Sequence, residues 1–122
     1  MKKLLLIAFL ALSLPSFSQK KISSAEAANH VGDSVLICEK VYGGRFLEAA
    51  EITFLNMGAQ YPYQLFAVVI KGEDRAKFAF KPEAEFQDKT ICVSGKVQLH
   101  RGKPQLIVVD PKQITVSNQV VP

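Results

Sequence analysis

From Ser34 onward, apolar and polar positions alternate with a period of two over much of the chain, the spacing of strands that bury one face. In Ser34–Tyr42, Val35, Ile37 and Val41 share one face, and Leu36, Cys38, Lys40 and Tyr42 the other. Glu39 interrupts the apolar row, which predicts a rim position or a bulge. Gly43-Gly44 predicts the end of this strand and a loop through Ala50. A second strand is expected over Glu51–Asn56, with Ile52, Phe54 and Asn56 alternating against Thr53 and Leu55. Met57–Pro62 predicts a turn, and Tyr63–Lys71 a third strand centred on Phe66-Ala67-Val68-Val69-Ile70. Gly72–Asp88 mixes charges with Phe78, Phe80 and Phe86; a helical turn near Glu73–Lys77 is expected, and Pro82 stops anything longer. Lys89–His100 carries the cleanest alternation. Ile91, Val93, Gly95, Val97 and Leu99 point one way, and Thr90, Cys92, Ser94, Lys96, Gln98 and His100 the other. Arg101–Pro104 predicts a tight connection, Gln105–Val109 a fifth strand, and Lys112–Val116 a further extended piece after the break at Asp110-Pro111.

The segment before the first strand reads differently. Ser23 and Glu26 have capping-box spacing, Ala25, Ala27 and Ala28 favour a helix, and Gly32 stops it. This short N-terminal helix is expected to cover an edge or end of the sheet. Further upstream, Lys2 and Lys3 precede the apolar run Leu4–Leu14, and Pro15 and Ser16-Phe17-Ser18 follow it. That pattern predicts a secretory signal peptide over residues 1–18, cut before Gln19, so that the chain is exported to the periplasm or secreted. The run is too short for a membrane anchor, which needs roughly 20 apolar residues, and no Cys ends it as a lipoprotein would require. The remaining 19–122 form one domain, and the last six residues predict a frayed tail.

Five short strands, a long insertion after the third and a hairpin joining the last two match a five-stranded Greek-key barrel, the OB-fold. Gly95 in mid-strand suits the bend of a small barrel. The alternative is another small β-sandwich. Four segments also carry a resemblance. They are Ala25–Gly32; Thr53–Gly58 with Tyr61-Pro62; Phe66–Ile70; and Lys89–Val97 with His100–Val109. Together they resemble exported bacterial OB-fold domains of the nucleic-acid-binding-like type, which stand alone or accompany nuclease domains. The resemblance spans essentially all of 19–122 and implies the fold. It carries no catalytic residue, because no companion nuclease domain is present.

Charge refines the picture. The whole chain has a formal net charge of +4, with 15 basic and 11 acidic residues; without Lys2 and Lys3 the balance is +2. Gln19–Phe86 carries −1 and Gln87–Pro122 carries +3, so an anion-binding surface is expected on the C-terminal third. Lys96, His100, Arg101 and Lys103 cluster along the last hairpin, and Arg45 and Phe46 fall in the loop after the first strand, which Tyr42 leads into. In OB-folds those two loops flank the ligand groove. Cations meet phosphates and rings stack on bases, as single-stranded nucleic acid requires. The bland reading is a solvated turn, and +2 is low for a dedicated nucleic-acid binder. Phe54, Phe66, Phe78, Phe80 and Phe86 are expected in the core. Tyr42, Tyr61 and Tyr63 are expected at the surface, with Tyr61-Pro62-Tyr63 favoured as turn packing.

Cys38 and Cys92 fall on the outward faces of strands that neighbour each other in an OB-fold. Export puts them where a disulfide forms; the other reading is two free thiols packed as small hydrophobes. No catalytic, metal or cofactor motif is present, and Glu48 and Glu51 make no recognisable acid/base pair. The sequence therefore predicts a binding module, not an enzyme. Its expected partner is single-stranded nucleic acid, bound without sequence specificity. The alternatives are an envelope protein or glycan, or an enzyme encoded separately.

Overall fold

The computed structural model describes residues 19–117. The expected signal peptide and the end of the expected tail lie outside them. The fold is mostly β, with seven strands among the described residues: β1 Lys20–Ile22, β2 Ser34–Leu47, β3 Ile52–Met57, β4 Phe66–Lys71, β5 Thr90–His100, β6 Lys103–Ile107 and β7 Ile114–Val116. They form one sheet in the order β1-β2-β3-β4-β6-β5-β7, and a further β2–β5 pairing closes a ring through β2, β3, β4, β6 and β5. Among the described residues only β1–β2 and β4–β6 are parallel. The pattern predicted five strands and a further extended piece over Lys112–Val116; β7 lies within that piece and β1 is additional, and they pair with the outer flanks of β5 and β2. The third strand begins at Phe66 rather than Tyr63, because Gln60–Leu65 turns back through Tyr63 N–H to Gln60 O at 2.7 Å and Leu65 N–H to Met57 O at 3.0 Å.

The ring encloses one core. Val35, Ile37 and Val41 from β2, Leu55 and Met57 from β3, and Phe66, Val68 and Ile70 from β4 are buried together. So are Ile91, Val93 and Val97 from β5 and Leu106 from β6. Gly95, between the two halves of β5, has φ +154°, and a Cβ there would approach the Leu106 side chain to 2.9 Å. Glycine thus allows β5 to bend over the core. Leu99, expected to point inward, is 53% exposed, because β5 runs beyond the core there into its hairpin with β6. That hairpin turns on Arg101 and Gly102 alone, both at positive φ (54° and 79°), the two-residue geometry whose twist matches paired strands.

The N-terminal helix is a 3₁₀ segment, Ser24–His30, with the expected capping box. Ser23 N–H donates to Glu26 Oε1 at 2.8 Å, and this bond holds the Glu26 carboxyl below its usual range. Ala27 is fully buried. Glu39, the polar interruption in β2, anchors the segment by accepting from Ser24 N–H at 2.8 Å and Ser24 Oγ–H at 2.6 Å. Two single-turn helices, α1 Gly72–Arg75 and α2 Pro82–Glu85, fill the long insertion. Lys77, just beyond α1, bonds Asp74 Oδ1 at 2.9 Å and Val109 O at 2.8 Å, and the Asp74 bond raises its pKa. Cys38 and Cys92 stand opposite each other on β2 and β5 and are joined by a disulfide.

Candidate nucleic-acid interface

Strand β2 does not end at Gly43-Gly44. A bulge between Val41 and Gly43 shifts the register, and the strand then runs on beside β3 to Leu47. Arg45 and Phe46, expected in a loop, are therefore strand residues on opposite faces. Phe46 turns toward the insertion. Its ring lies 3.9 Å from the Arg75 guanidinium, which donates to Glu83 Oε2 at 2.8 Å. A ring covered by an arginine is no platform for a ligand, so Phe46 leaves the candidate site. Tyr42 sits at the bulge, half-buried, with Lys40 Nζ 5.0 Å from its ring centroid.

Arg45 faces outward, and β-pairing aligns a row beside it. Arg45 opposes Phe54, Phe54 opposes Val69, and Val69 opposes Ile107. Directly opposed residues share a face, so Phe54 stands on the outer surface and not in the core where the pattern had put it. Phe80 is a second departure. It is 42% exposed, although its ring meets those of Phe78 and Phe86 edge-on at 5.8 and 5.4 Å. Phe66 and Phe86 are buried, and Phe78 packs against the core.

The β3–β4 connection folds over this row and makes a cleft of about 200 Å³, lined by Arg45, Leu47, Phe54, Asn56, Tyr61 and Gln64. Tyr61 is 61% exposed, and the Arg45 guanidinium lies 5.3 Å from its ring centroid. A smaller groove leads on through Gln64, Leu65, Phe66 and Ala67 to Lys103 and Pro104 at the start of β6. The surface thus runs from Arg45 to the β5–β6 hairpin, where His100 pairs with Lys103 and Arg101 is exposed. Lys96 lies four residues back along β5, opposite Ser34, and lines neither depression. Among the described residues, Arg45, Lys96, Arg101 and Lys103 bond no carboxylate, whereas Arg75, Lys77 and Lys89 each do.

Leu47, Phe54, Asn56, Tyr61 and Gln64 were not singled out for binding by the sequence pattern. The usable signal was the Tyr61-Pro62-Tyr63 run, which placed two aromatic rings in a turn. Among the described residues no cluster of His, Cys, Asp and Glu could hold a metal ion, and no helix is long and apolar enough to cross a membrane.

No protein-family model matches the sequence, and no curated protein does. Solved structures match the fold. The asparaginyl-tRNA synthetase from Pyrococcus horikoshii superposes with a TM-score of 0.56 at 15% identity, over 85% of this chain and 24% of the enzyme. Its complex with asparaginyl-adenylate gives 0.55, also at 15% identity, over 84% of this chain and 23% of the enzyme. OBody AM1L10, bound to hen egg-white lysozyme, gives 0.61 at 16% identity, over 86% of this chain and all of the OBody. The chain spans about a quarter of the synthetase's length. At these identities the likeness shows an OB-fold-like architecture.

Proposed function

We propose that this chain is an exported OB-fold binding module for single-stranded nucleic acid. The closed ring is read as the five-stranded Greek-key barrel, with β1 and β7 as accessory strands. The second and third strands of that barrel are then β3 and β4, whose outer face and last hairpin are where OB-folds take oligonucleotides. The observation that carries the reading is Arg45. Among the described residues it bonds no carboxylate, and it stands over the exposed Tyr61 ring at the mouth of an aromatic cleft. Arg45 would neutralise a phosphate while Tyr61 and Phe54 stack on bases, and Arg101, Lys103 and His100 would follow the backbone toward the hairpin. Phosphate contacts of this kind hold any sequence. Similarity to an enzyme whose name states a tRNA substrate supports the same reading. The reading gives the chain no catalytic step. Export by residues 1–18 accords with the Cys38–Cys92 disulfide, a bond of oxidising compartments.

The test is fluorescence anisotropy with labelled single-stranded oligonucleotides at low and physiological salt. Binding is expected to weaken steeply with salt, because phosphate contacts release counterions, and to fall in the Arg45→Ala and Arg101→Ala/Lys103→Ala proteins. Absence of binding at low salt rejects the reading. The apolar lining of the cleft would then favour an envelope glycan or protein partner, held in a salt-tolerant way.

A further inference from the structure

The floor of the cleft holds a polar group that neither phosphate contacts nor stacking explain. Asn56 is 5% exposed and lines the cleft, and among the described residues its carboxamide has no hydrogen-bond partner, its polar atoms remaining open to the cleft. Buried side-chain amides are ordinarily paired, since an unmade bond costs about 1–3 kcal/mol. Gln64 stands where the cleft meets the neighbouring groove, and its Oε1 is buried and likewise without a partner. Two carboxamides without a partner among the described residues, one of them with a buried oxygen, therefore border one recess walled by Phe54, Leu47 and Tyr61.

We infer that this recess reads one unpaired base through the Asn56 and Gln64 carboxamides, and that it prefers a base with an exocyclic amino group, adenine foremost. This rests on the single-stranded reading above and adds a selective position to otherwise indifferent binding. Each carboxamide offers an acceptor beside a donor, the complement of the adenine N6–H/N7 edge. An exocyclic amine carries two hydrogens, so it can donate to both amide oxygens at once. Thymine has no such amine, and its N3–H serves one oxygen only. A cleft of about 200 Å³ is below the roughly 300–1,000 Å³ of sites for drug-sized ligands and suits a single heterocycle. The Tyr61 and Phe54 rings supply the stacking face, and Arg45 meets the phosphate of the same nucleotide.

The test uses oligo-dT as the background and places dA, dC or 2′-deoxynebularine, a purine without the 6-amino group, at one central position. Binding is read by anisotropy at constant salt. The dA oligonucleotide is expected to bind roughly tenfold tighter than the dT and nebularine oligonucleotides, the scale of a good bidentate contact, with dC between. Asn56→Leu keeps the γ-branched outline and removes no bond made among the described residues, so it is expected to fold, to retain salt-dependent binding and to lose the preference. Gln64→Met, at a partly exposed side chain, is the second variant, and reduction of the preference there is expected too. Equal affinity for the four oligonucleotides, or a preference that survives both substitutions, overturns the base-reading inference and leaves the single-stranded reading standing. Failure to bind any of them at low salt overturns both.

Discussion

The two halves of β2 are one continuous strand with opposite uses. Before the bulge, Val35, Ile37 and Val41 are fully buried, seven residues are in register with β5, and Cys38 is bonded to Cys92. Beyond it, the strand separates two guanidinium–aromatic pairs. On the insertion side Arg75 covers Phe46 at 3.9 Å and is neutralised by Glu83. On the open side Arg45 stands 5.3 Å from Tyr61 and has no carboxylate partner among the described residues. Similar chemistry is structural where the charge is paired and covered, and available where it is not. Moving a guanidinium out of water is tolerable only with a partner, so the covered pair requires Glu83 while the exposed pair does without one.

The sharpest contrast is stability. Replacing Cys38 and Cys92 with Ser should cost roughly 4 kcal/mol, the chain-entropy estimate for a crosslink across 54 residues. Urea unfolding with and without reductant measures it, and a loss close to zero would deny the first half its structural role. Phe46→Ala should cost about 2 kcal/mol, less than a fully buried phenylalanine, and leave oligonucleotide affinity unchanged; weakened binding by a protein that still folds would join Phe46 to the site after all. A third contrast lies between adjacent glycines. A Cβ at Gly44 would come within 3.1 Å of the Glu83 Cα and the Phe54 carbonyl oxygen, whereas one at Gly43 meets nothing within 4 Å. Gly44→Ala should therefore destabilise by about 1–2 kcal/mol through overpacking, and Gly43→Ala by less than about 0.5 kcal/mol. The order of the two melting temperatures decides it. Arg45→Ala should move stability least, within about 0.5 kcal/mol, yet lower the salt slope of oligonucleotide binding by about 0.7 if it meets one phosphate. Titrations at several salt concentrations give the slope, and a parallel loss of stability would make Arg45 structural like Arg75.

Gly43-Gly44 shows why the second half of β2 is not legible along the chain. Paired glycines signal a turn, and locally nothing contradicts that. The structure uses Gly44 instead to admit the backbone of α2, 39 residues later in the chain. The place of Phe54 is not legible for a related reason. Its period-two neighbours Ile52 and Asn56 share its face, but whether that face is core or cleft depends on which side the ring closes over. The Leu99 error is the reverse case, a correct alternation carried past the end of the core.

Period-two alternation is imposed by the pleat of each strand, a property of neighbouring residues. For that reason the buried rows of β5 and the first half of β2, the Ser23/Glu26 cap and the Arg101-Gly102 turn could be read along the chain. The candidate cleft could not. It joins Arg45 to Phe54 by register, Asn56 to Gln64 by the fold of a connection, and Lys103 to Ala67 through the parallel pairing of β4 with β6. Those juxtapositions arise when the ring closes, since burial of the shared core selects one register among many that each strand alone would accept.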